Sequence, residues 1–129
     1  WALELKSSGR FIGFTGLHIP GYQLPVAPCV EIGWRLGYPF WGYGYATEAA
    51  QSVLRTGFEC LKLTEIISFT SLGNTKSQAV MQRLGMVRTN IEFDHPLVPE
   101  GSQHRRHCLF ELTREQWVNL KMASSTQTD

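Results

Sequence analysis

The chain has 129 residues and a mass of 14.6 kDa, enough for one domain that buries roughly two-thirds of its unfolded surface. Apolar residues make up 43% and charged residues 18%, which excludes a disordered chain. Twelve Lys and Arg against eleven Asp and Glu leave a net charge of +1, arguing against a dedicated nucleic-acid binder. No run approaches the ~20 apolar residues of a membrane span, and no basic-then-apolar leader opens the sequence. Cys29, Cys60 and Cys108 are widely spaced without a CxxC pair, so reduced thiols in a cytoplasmic protein are expected and no metal site. Cys60 and Cys108 fall on apolar stripes and read as buried thiols; His18 and His95 lack partners at metal spacing.

Trp1 to Lys6 alternates apolar and polar side chains, Ser7-Ser8-Gly9 is turn chemistry, and Arg10 to Leu17 follows as a second strand of a hairpin. A proline-rich connection leads to a third strand, Cys29 to Leu36, stopped by Gly37 and Pro39. From Ala46 the period becomes helical through Ala50, Val53, Leu54, Gly57 and Leu61, with close packing the reason for a glycine inside it. Thr64 to Ser71 returns to strand. Asn74 to Leu84 is a second helix with Asn74 as N-cap and Gly85 as terminator. Val87 to Asp94 and Arg106 to Leu112 are further strands, and Thr113 to Gln116 is a capping box opening a helix through Lys121. The polar end, residues 123–129, is expected to be a disordered tail after a domain of residues 1–122. The order β-β-β-α-β-α-β-β-α predicts an α/β or α+β domain with a mixed sheet.

The informative segment is Pro39-Phe40-Trp41-Gly42-Tyr43-Gly44-Tyr45-Ala46-Thr47-Glu48, where a strand ends, glycines alternate with aromatics and a helix begins. Glycines let backbone approach a ligand, and successive amides at a helix N-terminus cradle an anion, usually a phosphate or pyrophosphate. No lysine follows these glycines, which removes the P-loop, and Thr47 stands where a dinucleotide fingerprint needs its third glycine. A plain glycine turn linking strand to helix remains the competing reading of this segment alone.

The run EIGWRLGYPFWGYGYATEAAQSVLRTGFE, with NTKSQAVMQRLGM downstream and FDHPLVPEGSQHRRHCLFELTREQW after it, resembles the GNAT superfamily of N-acetyltransferases, and within it the RimJ/RimL-type branch. The resemblance spans nearly all of Trp1 to Leu120. It implies a mostly antiparallel sheet flanked by helices, the GNAT acyl-CoA N-acyltransferase fold, and transfer of acetyl from acetyl-CoA to a primary amine in a ternary complex. It also implies that Trp1 lies mid-domain, because family members usually begin with a strand and two helices ahead of the hairpin. An N-terminally truncated domain would expose apolar sheet surface and favour a homodimer.

The resemblance assigns roles residue by residue. The third strand would splay from the Thr64–Ser71 strand, with its edge at Trp34, Arg35 and Leu36 binding pantetheine amides and donating one N–H to the thioester oxygen. The amides of Trp41, Gly42, Tyr43, Gly44, Tyr45 and Ala46, with the Thr47 hydroxyl, would hold the diphosphate. Glu31 would be the general base, set against the alternative of a solvated or salt-bridged strand-edge carboxylate. Asn74 would contact the pantetheine arm, besides capping its helix. Ser77 would lie near the leaving thiolate, where many members have a tyrosine acid at the position of Met81, which cannot donate a proton. The partners implied are acetyl-CoA and an amine, with neither membrane nor nucleic acid; a non-catalytic CoA-binding or protein-interaction module is the alternative. His104 to His107 reads as a solvated basic rim.

Overall fold

The computed structural model describes residues 1–126. Six strands and three helices follow in the expected order: β1 (Ala2–Glu4), β2 (Phe11–His18), β3 (Glu31–Leu36), α1 (Tyr45–Arg55), β4 (Glu65–Ser71), α2 (Thr75–Arg83), β5 (Val87–Asp94), β6 (Arg106–Thr113) and α3 (Arg114–Thr126). They form one sheet of order β1-β2-β3-β4-β6-β5, in which β3 and β4 run parallel and the other neighbours antiparallel. The mixed, mostly antiparallel sheet with flanking helices is therefore observed.

Alternation along the strands divides the core in two. On one face Ile32, Ile66, Cys108, Phe110 and Leu112 pack against Ala50, Val53 and Leu54 of α1, Met81 of α2 and Trp117 of α3. On the other, Ile67, Leu109 and Phe93 are covered by Tyr22, Leu24 and Val26 of the β2–β3 connection. The proline-rich connection thus acts as a lid on the sheet face that carries no helix.

The helix expected to run to Leu61 changes pitch after Arg55. Thr56–Cys60 forms a π turn, closed by Leu61 N–H donating to Thr56 O at 3.0 Å. The wider turn puts both Gly57 and Phe58 into the core. A Cβ on Gly57 would meet Ile66 Cδ1 at 2.8 Å, so close packing does account for the glycine. The same turn carries Cys60 to the surface; of the two cysteines read as buried only Cys108 is so, and Cys29, Cys60 and Cys108 are all free.

Helix boundaries fixed by side-chain caps fall where expected. Asn74 Oδ1 accepts from Ser77 N–H at 3.2 Å. Thr113 N–H donates to Gln116 Oε1 at 2.9 Å, and Gln116 N–H donates to Thr113 Oγ1 at 3.2 Å. At the end of α2, Gly85 has φ 85°, Met86 N–H reaches Met81 O and Gly85 N–H reaches Gln82 O, the paired bonds of a Schellman turn. A Cβ at Gly85 would lie 2.3 Å from Leu120 Cδ1. G85A is expected to lower stability by about 2 kcal/mol, left-handed strain adding to displacement of Leu120, readable as a lower urea midpoint at unchanged slope. The expected tail is partly corrected: α3 continues to Thr126, with the Ser124 and Ser125 hydroxyls donating to Leu120 O and Lys121 O. Those back-bonds satisfy the serines within the helix. Residues 127–129 lie outside the described residues.

Candidate functional site

The glycine segment begins with a single 3-10 turn at Tyr38–Phe40. Its bonds, Phe40 N–H to Gly37 O at 2.9 Å and Trp41 N–H to Tyr38 O at 3.1 Å, occupy the Trp41 amide. Trp41 Nε1–H also donates to Leu36 O at 2.9 Å. The Trp41 amide is thus spent within the turn and its indole fastens the loop to the end of β3, and the backbone donors the loop can offer a ligand begin after Trp41.

Gly42 and Gly44 have φ of 85° and 81°, and nothing stands within 4 Å of where either would carry a Cβ. Gly44 is the N-cap of α1 without a side-chain cap. The first helical bond runs from Glu48 N–H to Gly44 O at 3.0 Å, leaving the Tyr45, Ala46 and Thr47 amides outside the helical ladder. Thr47 Oγ1 is buried with no hydrogen-bond partner. Free first-turn amides, a positive helix end and an orphaned hydroxyl fit a diphosphate. Sequence reading missed Lys76 at this site: from the first turn of α2 its Nζ lies 4.6 Å from the centre of the Trp41 ring. Its place two residues after an N-cap asparagine gave no sign that it meets a loop so distant in sequence. Tyr43 and Tyr45 stack at 5.5 Å beside the loop.

Beside this loop the sheet opens. The β3–β4 register holds one pair, Glu31 with Ile67, whereas β4 pairs with β6 along its whole length. Ile67 N–H donates to Val30 O at 2.9 Å and Ser68 Oγ–H to Ile32 O at 2.9 Å, so even-numbered residues of β3 turn their backbone toward β4. Odd-numbered ones turn to β2, where Gly33 O accepts from Thr15 Oγ1 at 2.7 Å. By this alternation the Trp34 N–H and C=O and the Leu36 N–H line the opening, and Arg35 faces β2. Of the edge residues named from the sequence, Trp34 and Leu36 stand at the cleft and Arg35 does not.

Glu31 sits where the two strands are still joined. It is 9% exposed, and burial raises its carboxyl from 4.5 to about 7. His18, directly across the β2–β3 ladder, places Nε2 3.0 Å from Glu31 Oε2. This oxygen is buried and accepts no aligned hydrogen bond. The Glu31 charge in turn raises the Tyr22 hydroxyl and the Cys29 thiol, in both cases behind desolvation as the larger cause. On α2, Asn74 is exposed and Ser77 half-buried, one turn apart. Met81 is buried at 2% among the core side chains, so an acid at that position would point into packing.

Other candidates are absorbed by structure. Arg105 and Arg106 pair with Glu100, Glu92 and Asp94 at 3.5 to 3.8 Å, leaving little uncompensated basic charge on that rim. His95 Nδ1 accepts from Leu97 N–H at 3.1 Å, while its Nε2 meets Tyr22 Oη at 3.1 Å. No cluster of three or more His, Cys, Asp or Glu able to hold a metal occurs among the described residues. No helix among them is long and apolar enough to cross a membrane. A concavity of about 500 Å³ between the three helices, lined by Leu54, Leu84, Trp117 and Leu120, lies by the last turns of α1 and α2, away from these residues.

Residues 1–87 match the Acetyltransferase (GNAT) domain. Over 95% of the chain, the sequence is 31% identical to the FsC-acetyl coenzyme A-N(2)-transacetylase of Aspergillus fumigatus, covering 54% of that protein. An acetyltransferase of the GNAT family from Bacillus anthracis superposes with a TM-score of 0.71 at 29% identity, over 88% of this chain and 65% of that one. The ribosomal-protein-S5-alanine acetyltransferase of Vibrio fischeri shares the fold, with a TM-score of 0.72 over 90% of this chain and 61% of that one at 21% identity. The chain thus spans about half the length of the Aspergillus relative. The domain match, together with a sheet that opens beside a glycine-rich helix start, makes this chain a member of the GNAT family of acetyl-CoA-dependent N-acetyltransferases, in its RimJ/RimL-like branch.

Proposed function

We propose that the protein transfers the acetyl group of acetyl-CoA to a primary amine, on a protein N-terminus or a small molecule, by direct attack in a ternary complex. The observation that carries this reading is the opening between β3 and β4 beside unladdered amides and the orphaned Thr47 hydroxyl. The Aspergillus relative is named for transacetylation from acetyl coenzyme A to an N(2) nitrogen, the same class of reaction.

In this mechanism Gly42 to Ala46 and Thr47 grip the diphosphate, and the Trp34 and Leu36 edge takes the pantetheine amides as an added strand would. The Trp34 N–H polarises the thioester carbonyl and stabilises the oxyanion formed on attack. Glu31 removes the proton that an amine with a reference pKa near 8, or near 10.4 for a lysine, carries at neutral pH. A carboxyl held at about 7 is matched to that task at neutral pH. Asn74 meets the pantetheine arm, and Ser77 or water gives the departing thiolate its proton.

The buried Met81 favours a second reading, a domain that holds CoA without turnover. Calorimetric titration with acetyl-CoA, followed by a CoA-release assay over N-terminal peptides, polyamines and aminoglycosides, separates the two. Binding with release from at least one amine is the expected result. Binding without release from any supports the second reading, and no binding at millimolar acetyl-CoA overturns both.

A further inference from the structure

Glu31 has an awkward position for a group that must lose its proton on every turnover. Its side chain is 11% exposed and Oε2 touches no solvent. The other titratable groups whose ionisation it influences, Tyr22 and Cys29, are both pushed toward their neutral forms and are poor proton acceptors near neutrality. His18 stands on the other side, with Nε2 3.0 Å from Oε2 and a side chain that is 55% exposed. The antiparallel ladder fixes this juxtaposition, because His18 and Glu31 are direct cross-strand partners.

From this geometry we infer that His18 is the proton outlet of Glu31, carrying to solvent the proton that Glu31 takes from the acceptor amine. This rests on the reading of Glu31 as base. In the first step an N–H bond of the ammonium breaks and an O–H bond forms on Glu31, leaving a neutral amine. A turn of the half-exposed His18 ring brings Nε2 into line with Oε2; the carboxyl then gives that proton to the unprotonated Nε2, and Nδ1–H is released to water, so the imidazole returns neutral in its other tautomer. Exchange of the Nε2 and Nδ1 protons with water resets the ring. His18 lies off the Trp34–Leu36 edge and the glycine loop, so it takes no part in holding acetyl-CoA.

The test compares wild type, H18A, H18Q and E31Q, reading kcat, the KM for the acceptor and calorimetric affinity for acetyl-CoA. H18A and H18Q are expected to lose ten-fold or more in kcat with acetyl-CoA affinity unchanged. Imidazole added to H18A is expected to restore most of the loss, more strongly as pH rises through its own pKa. Rescue is the decisive readout, because a merely structural histidine would not be replaced by free imidazole. Wild-type kcat in both His18 variants, or a loss that imidazole does not relieve, overturns the outlet while E31Q still reports on the base. A fully active E31Q, or a wild type without turnover, overturns the base reading and the outlet with it.

Discussion

Replacing Gly44 by valine is expected to abolish the rise in melting temperature that acetyl-CoA should produce in the wild type. A ligand at about 100 times its Kd stabilises the native state by about 2.7 kcal/mol, which for a domain of this size is a shift of about 10 °C. Gly44 has φ 81°, and the space where its Cβ would lie is open. A β-branched side chain there projects into the anion cradle and forces the N-cap of α1 out of its left-handed conformation. That strain lowers the unliganded melting temperature as well, by the equivalent of about 1–2 kcal/mol. Gly101 supplies the control: it has φ 82° and an equally open Cβ position in the β5–β6 loop. G101V is expected to show the same kind of intrinsic loss while keeping the full acetyl-CoA shift. A ligand-dependent shift retained in G44V would remove the diphosphate from this loop.

E31Q is expected to do two things that pull in opposite directions. With the base removed, kcat falls by about 10²–10⁴, and the wild-type rise of kcat with pH through about 7 disappears. Stability moves the other way. Because the folded carboxyl titrates near 7 rather than 4.5, the native state holds a proton that the unfolded state has already released between those values. Wild-type stability therefore falls as pH rises from about 4.5 to about 7 and stays lower above it, by up to about 3 kcal/mol. A neutral glutamine avoids that penalty, so E31Q should melt higher than wild type at pH 8, with the gap closing by pH 5. Equal melting temperatures at pH 8 would mean that the carboxylate is solvated, and the matched-base argument would fail. This is the usual signature of a site that trades stability for reactivity.

Local chemistry was readable and distant chemistry was not. Asn74, Gly85 and the Thr113–Gln116 box mark helix ends through bonds to neighbours within a few residues, so their meaning is contained in short runs of sequence. The turn at Gly42 and Gly44 and the helix start that follows it are legible for the same reason. The occupied Trp41 amide was missed because it depends on the 3-10 turn of Tyr38–Phe40, a geometry that Pro-Phe-Trp does not announce. Arg35 was included at the cleft because a strand's residue types do not reveal which of its two edges is open. Glu31's burial, its contact with His18 and the approach of Lys76 to Trp41 all join segments far apart in the chain. The run past Arg55 kept its apolar spacing closely enough to conceal a change of helical pitch.

The single ladder pair joining β3 to β4 has a mechanical consequence. Within the sheet, β1-β2-β3 and β4-β6-β5 meet at a short seam, while the helices on one face share a core that spans both halves. Little more than the Ile67 amide and the Ser68 hydroxyl stitches that seam within the sheet. A molecule laid along the gap would act as mortar between the two halves of the sheet, so that recognition would also brace the seam.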